Sequence, residues 1–81
     1  MEIIVKRIIW DDWEAIYIND SLVLESSRKI PIELILESIQ SLMNETNMCI
    51  TKIESKKYSI YSDDDVIFPK NFNDISKEIF E

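Results

Sequence analysis

The chain has no glycine and no histidine, one cysteine and two prolines among its 81 residues. Without glycine it cannot form the phosphate-binding loops of Walker or Rossmann type, whose backbone geometry depends on that residue. Without histidine it cannot form a Ser-His-Asp triad or nearly any histidine-bearing zinc site. We therefore expect a protein that is not an enzyme and that uses no cofactor and no metal.

The lone cysteine, Cys49, has no partner for an internal disulfide. A reducing compartment is the simplest setting for such a chain, and Cys49 is expected to be a small buried residue. The first residues do not form a signal peptide, because the apolar run Ile3-Ile4-Val5 is followed at once by Lys6 and Arg7. No apolar stretch approaches the roughly 18 residues that a membrane helix needs. The sequence therefore predicts a cytoplasmic protein that does not bind membranes.

Charge and apolar content define the class of protein. Hydrophobic residues make up 46% of the chain, which is typical of one folded domain spanning residues 1–81. Sixteen acidic residues against 9 basic residues give a net charge of −7. This charge argues against direct binding of nucleic acids, whose phosphates need a basic face, and favours a basic partner.

The first half of the chain predicts three strands. Glu2–Trp10 is rich in β-branched residues, with Ile3, Val5 and Ile9 on one face and Ile4, Ile8 and Trp10 on the other. Trp13–Ile18 and Ser21–Ser26 are expected to form a hairpin around Asn19-Asp20, because both turn residues tolerate positive φ. In this register Ile18 pairs with Ser21, Tyr17 with Leu22, and Ile16 with Val23.

The second half predicts a helix, a second hairpin and a short final helix. Pro31 suits the first turn of a helix that ends between Asn44 and Asn47, where asparagine takes the left-handed cap. Its apolar stripe consists of Ile32, Ile35, Leu36, Ile39, Leu42 and Met43. Residues 48–54 and 58–62 are expected to be the arms of a hairpin around Ser55-Lys56-Lys57, and residues 74–80 a helix. The fold class is thus α+β, a single small domain with a mostly antiparallel sheet of ββ(β)αββα order.

The densest group of functional residue types lies at the connection of the first two strands. Two indoles flank two carboxylates there, and a tyrosine and further acids follow on the hairpin. Such a surface suits a partner's arginine or a ligand with hydroxyl groups, and we expect it to be the binding site. Its members are Trp10, Asp11, Asp12, Trp13, Glu14, Tyr17, Asp20 and Glu25. The alternative is that the tryptophans close the end of the core and the aspartates form a solvated turn.

Other acidic groups are weaker candidates for chemistry. Residues 63–65 are three consecutive aspartates, but a calcium loop needs spaced ligands and a glycine, so a solvated loop is expected. Asp11 and Glu25 could pair across the hairpin for acid/base catalysis. Raising the pKa of one of them would need a pocket that so small a core hardly encloses.

The run from Ile8 to Glu25, with its motif Trp10-Asp11-Asp12-Trp13-Glu14, resembles a group of small bacterial and phage proteins. These proteins open with a strand, a W-x-D-W-E turn and a short hairpin, and glycine is common where this chain has Ala15 and Asp20. The resemblance implies no particular activity. By type alone, a tiny acidic chain without glycine resembles the accessory proteins that phages use against bacterial immunity.

Three functions are compatible with these residues. The first is a phage-type anti-defence factor that blocks a host defence protein stoichiometrically, with the hairpin acids on the host's basic surface and, for a nucleic-acid enzyme, mimicking phosphates. The second is a homo-oligomeric sponge that sequesters a nucleotide-type immune signal between the tryptophan-bearing turns of neighbouring protomers. It would need Lys6, Arg7, Arg28 or Lys29 near the site to hold phosphates. The third is an antitoxin-like or regulatory partner.

Overall fold

A computed structural model describes residues 2–47, 49–62 and 66–80. The elements are β1 (Glu2–Trp10), β2 (Trp13–Ile18), β3 (Ser21–Ser26), α1 (Ile32–Thr46), β4 (Lys52–Ser59) and two single 3-10 turns, Phe72–Asp74 and Lys77–Ile79. The sheet has the order β3-β2-β1-β4; β1, β2 and β3 are antiparallel neighbours, and β4 runs parallel to β1. One helix connects β3 to β4, so the expected α+β class is confirmed.

The β2–β3 hairpin closes through two left-handed residues, as the sequence predicts. Asn19 and Asp20 have φ values of 49° and 68°. The pairs Ile18 with Ser21 and Tyr17 with Leu22 are confirmed, but Ile16 pairs with Leu24 because a bulge shifts the register between Ile16 and Tyr17. The extra residue lets Leu22 pack on one face of the sheet and Leu24 on the other.

Helix α1 begins after Pro31 and ends at a left-handed residue. Pro31 has a φ of −62°, and Asn47 has a φ of 53°, which confirms asparagine as the C-terminal cap. Only part of the predicted apolar stripe is covered: Ile35 and Ile39 are buried, whereas Ile32 and Leu36 remain 57% and 55% exposed. Beside these two residues lies β4, which offers mostly serine and lysine side chains.

The predicted second hairpin is wrong, because β4 continues through Ser55, Lys56 and Lys57. The helical crossover returns the chain parallel to β1, and β4 becomes an edge strand. At an edge, polar side chains stay solvated, so a polar segment need not be a turn. Residue 48, where the first arm was expected to begin, lies outside the described residues. The expectation that Cys49 is buried is wrong, because Cys49 lies in the connection between α1 and β4 and is exposed.

The predicted C-terminal helix over residues 74–80 is also wrong, because two separate 3-10 turns stand in its place. The Asn71 side chain accepts a hydrogen bond from the Asn73 amide at 2.9 Å and starts the first turn. Extended residues at Ile75 and Phe80 end the two turns. The expected loop at residues 63–65 lies outside the described residues.

The sheet carries one apolar cluster on each face. The cluster beneath α1 consists of Ile3, Val5, Ile16, Ile18, Ile30, Ile35 and Ile39. The C-terminal segment, residues 66–80, covers the cluster on the other face, which consists of Ile8, Ala15, Tyr17, Ile60, Phe68 and Ile75. The predicted division of β1 is therefore confirmed for Ile3 and Val5 beneath α1 and for Ile8 and Trp10 on the other face. Within the described ranges, no helix has both the length and the apolar character needed to cross a membrane.

Candidate functional site

The tight turn between β1 and β2 exposes three consecutive residues. Asp11 takes a left-handed conformation with φ of 52°, which allows Trp10 and Trp13 to pair across the turn. Asp11 and Asp12 are exposed, and Trp13 is 40% exposed. Trp10 instead packs on the cluster under the C-terminal segment and donates its indole N–H to the Ser62 carbonyl at 3.3 Å. The two indoles thus have different roles, Trp10 in packing and Trp13 at the surface.

Glu14 lies beneath this turn and is held in an ion-paired network. It is buried, and its Oε1 accepts a hydrogen bond from Nε of Arg7. Its Oε2 accepts from the Ile30 amide at 3.3 Å, while Nη2 of Arg7 donates to the Ile30 carbonyl at 3.1 Å. This network neutralises Glu14 and fixes the segment before α1 against the sheet.

A cavity of about 330 Å³, here called the Trp13 cavity, opens beside the turn. Three cationic side chains reach it from three different elements: Arg7 from β1, Lys29 from the segment before α1, and Lys57 from β4. Its lining is completed by Ile9, Asp11, Asp12, Trp13 and Glu14. The cavity therefore combines an indole with groups of both charges, and can receive a planar or mixed-charge group.

Tyr17 is buried in the apolar cluster beneath the C-terminal segment and does not lie on the surface. Its side chain is fully buried, and its hydroxyl donates to the Pro69 carbonyl at 2.6 Å. Burial, with the negative charge of Glu25 as a second cause, raises the pKa of Tyr17 to about 12. Tyr17 therefore serves to anchor the C-terminal segment.

Asp20 and Glu25 are separated from the Trp13 cavity. Asp20 lies at the opposite end of β2, where its Oδ1 accepts from Nζ of Lys6 at 2.5 Å. The same Lys6 nitrogen lies 4.0 Å from the centre of the Phe72 ring. Glu25 is exposed on β3 opposite Ala15. The eight predicted site residues therefore do not form one surface; those at the turn come together and the others are distributed along the hairpin.

Lys57 is the cavity residue that the sequence could not indicate. It reaches Arg7 only through the parallel β1–β4 register, in which these two residues are directly paired. Arg7 and Lys29 were candidates as phosphate-binding cations, and the structure does bring both beside Trp13. Within the described ranges there is no group of three acidic or cysteine side chains arranged to hold a metal ion.

Comparison of the chain with protein-family models, with curated proteins and with solved structures gave no significant match.

Proposed function

We propose that this protein is a non-catalytic binding protein that blocks a partner protein stoichiometrically through the β1–β2 turn. The observation that carries the proposal is the joint exposure of Asp11, Asp12 and Trp13 at this turn. An exposed indole beside two carboxylates suits a partner's arginine or lysine, which can stack on the ring and pair with the acids. The partner is accordingly a protein with a basic surface, and a host defence protein is the class that the resemblance in type suggests.

The Trp13 cavity adds specificity to this contact. Lys29 and Lys57 line it together with Asp11 and Asp12, so cations and carboxylates lie on one small surface. The favoured partner places basic groups against Asp11 and Asp12 and acidic groups against the two lysines. A uniformly basic protein would be repelled by the lysines, which carry the same charge. Charge pairs at an exposed rim are screened by salt, so the complex should weaken as ionic strength rises.

Affinity capture tests the proposal with a matched pair of charge variants. The immobilised full chain is compared with D11N/D12N and with E33Q/E37Q, which removes two exposed carboxylates from α1 instead. A specific partner is retained by wild type and by E33Q/E37Q, and is lost from D11N/D12N and from W13A. For an indole at a binding hot spot, the expected loss of affinity is about thirtyfold, or about 2 kcal/mol.

Two results would contradict this proposal. One is equal retention of the captured protein by D11N/D12N and by wild type, which would place the contact elsewhere. The other is equal loss from both double variants, which would indicate nonspecific ion exchange on an acidic chain. Titration of the purified pair should reach saturation at equal molar amounts.

The second candidate function is sequestration of a nucleotide-type ligand in the Trp13 cavity. Arg7, Lys29 and Lys57 beside the indole favour it, since a base stacks on indole and phosphates bind cations. Arg7 is already engaged by Glu14, so the two lysines would hold the phosphates.

Tryptophan fluorescence distinguishes the two candidates. In a Trp10→Phe background, Trp13 is the only tryptophan, and its emission is followed while the protein is titrated with nucleotides including cyclic and ADP-ribose-type compounds. Sequestration predicts a saturable quench that Lys29→Ala abolishes and Lys77→Ala, at the C-terminal 3-10 turn, retains. No quench across these compounds would reject the ligand and leave the protein partner.

A further inference from the structure

Strand β4 and α1 together present a surface that the fold leaves uncovered. A shallow apolar groove of about 150 Å³ runs between them, and its outer wall is formed by Ile32, Leu36 and Ile53. These three side chains are 57%, 55% and 54% exposed. Three large aliphatic residues in one groove next to an open sheet edge are typical of an interaction surface.

The backbone of β4 has an edge that is ready for pairing. Within the described ranges β4 is the terminal strand of the sheet, with β1 as its sheet neighbour. The Ile60 amide points toward β1, where it donates to the Ile9 carbonyl at 2.9 Å. Since the direction alternates along a strand, the amide and carbonyl groups of Ile53, Ser55 and Lys57 point outward. Tyr61, farther along the same alternating series, does point outward and donates to the Ile79 carbonyl at 2.8 Å.

We propose that a second copy of this chain occupies this edge, with β4 pairing antiparallel to its own copy about a two-fold axis at Ser55. Residues that lie opposite each other in an antiparallel pair have their side chains on the same face of the sheet. The two-fold axis must therefore place one residue directly opposite its own copy, and it cannot lie midway between two consecutive residues of the strand. With the axis at Ser55, Glu54 of each copy lies opposite Lys56 of the second copy. Two such cross-strand pairs form, and no like charges are opposed between residues 52 and 58.

Neighbouring registers are excluded by charge or by length. An axis at Glu54 opposes two glutamates, and an axis at Lys56 opposes two lysines, which destabilises cross-strand pairing. An axis at Ile53 restricts pairing within β4 to residues 52–54. The lysines of an edge strand ordinarily prevent such pairing, but in the Ser55 register Lys56 faces a carboxylate.

The same operation brings the two apolar grooves together. A two-fold axis perpendicular to the sheet keeps both helices on one face, with the exposed flank of each α1 directed at the second copy. Ile32 and Leu36 then gain an apolar neighbour that the single chain does not provide. The β1–β2 turns lie toward the far ends of such a dimer, so the assembly does not depend on the proposed contact of Asp11, Asp12 and Trp13. Lys57 of the Trp13 cavity does lie within the paired segment, opposite Ile53 of the second copy.

Disulfide cross-linking tests the register directly. In a Cys49→Ser background, which removes the exposed native cysteine, Ser55→Cys is compared with Ser59→Cys. Across the axis, hydrogen-bonded partners have Cα atoms about 5.5 Å apart, within the reach of a disulfide. The two copies of residue 59 would lie about 27 Å apart, since a strand rises about 3.4 Å per residue. Ser55→Cys should oxidise to a covalent dimer, and Ser59→Cys should stay monomeric.

Charge exchange provides a second test that does not depend on cysteine. The mass in solution of wild type should be twice that of the 9.6 kDa chain. Glu54→Lys opposes two lysine pairs and should give the monomer mass, and the double variant Glu54→Lys/Lys56→Glu should restore the dimer. Circular dichroism confirms that each variant is folded. A monomeric wild type, a dimer unaffected by Glu54→Lys, or cross-linking through residue 59 would each overturn the proposal.

Discussion

The Tyr17 hydroxyl links the central strand to the segment that covers the second face. It donates to the Pro69 carbonyl at 2.6 Å, in a site where the ring itself is fully buried. A phenol so placed favours its neutral form, because ionisation would remove the donated proton and create a buried charge beside the negative Glu25. Tyr17 is thus a structural residue whose ionisation opposes folding.

This ionisation predicts a loss of stability in alkaline solution. Tyr17 has a pKa of about 12 in the folded protein and an ordinary value of 10.0 in the unfolded chain. Above pH 10 the unfolded chain binds fewer protons than the folded one, so the free energy of unfolding falls as pH rises toward 12. Tyr17→Phe should remove this part of the slope and cost about 1–2 kcal/mol at neutral pH, through the lost hydrogen bond.

Urea unfolding at a series of pH values measures both effects. Tyr61→Phe is the control, since Tyr61 is 64% exposed. It should keep the alkaline slope of wild type. An unchanged slope in Tyr17→Phe would mean that other groups cause the alkaline destabilisation.

Helix α1 ends with an asparagine in the left-handed position that glycine usually occupies. Asn47 holds a φ of 53° at the C-terminal cap, and a left-handed conformation strains any residue with a Cβ, though asparagine less than others. Asn47→Gly should raise the free energy of unfolding by about 0.5–1 kcal/mol, and Asn47→Ala should lower it by about 1 kcal/mol. In a chain of this size, 1 kcal/mol moves the melting temperature by about 4–8 °C, which calorimetry resolves. Equal melting temperatures for the two variants would show that the cap is not strained.

Local chemistry explains which elements the sequence predicts well. Asn19-Asp20 and Asn47 take left-handed conformations that these residue types tolerate, so the hairpin and the helix end could be placed from neighbouring residues alone. The bulge between Ile16 and Tyr17 and the course of β4 depend on tertiary contacts, that is, on the elements that pack on each strand and pair beside it. Ser55-Lys56-Lys57 has turn composition, and only its place at the sheet edge makes it a strand.

The candidate site was predictable to the same extent. The turn Asp11-Asp12-Trp13 is local and lies exposed where expected, but the cations around it come from distant segments. Lys57 reaches Arg7 across the parallel register, a contact that no pattern within a single segment encodes.

At the scale of the whole molecule, the acidic run in the sequence does not become an equally acidic surface. Five acids and no base lie between Ile8 and Ser27. The adjacent strand β1 supplies Lys6 to Asp20 and Arg7 to Glu14, so two of these acids are neutralised by ion pairs. The exposed charge of the hairpin is therefore concentrated at Asp11, Asp12 and Glu25, which favours a small localised contact over broad mimicry of a nucleic acid.

The two apolar clusters should unfold together, although they lie on opposite faces of the sheet. Strands β1 and β2 contribute to both, with Val5 and Ile16 on the helix face and Ile8 and Tyr17 on the other. If either α1 or the C-terminal segment detaches, β1 and β2 lose packing on one face. The element on the other face then packs against strands that are themselves less stable. In the second cluster, Phe72 packs on Tyr17, Tyr58 and Phe80 at ring-centre distances of 5.6, 5.3 and 5.8 Å.

Phe72→Ala and Ile39→Ala test this coupling from the two faces. Each should lower the free energy of unfolding by about 2–4 kcal/mol, the range for large-to-small substitutions in a core. With Trp13→Phe as background, Trp10 fluorescence reports the second face and far-ultraviolet circular dichroism reports α1. The two signals should change at the same urea concentration in both variants, since a cooperative domain has no populated intermediate. Should Phe72→Ala lose its Trp10 signal while α1 stays folded, the helix face would be a separate folding unit and the C-terminal segment only a cover for the sheet.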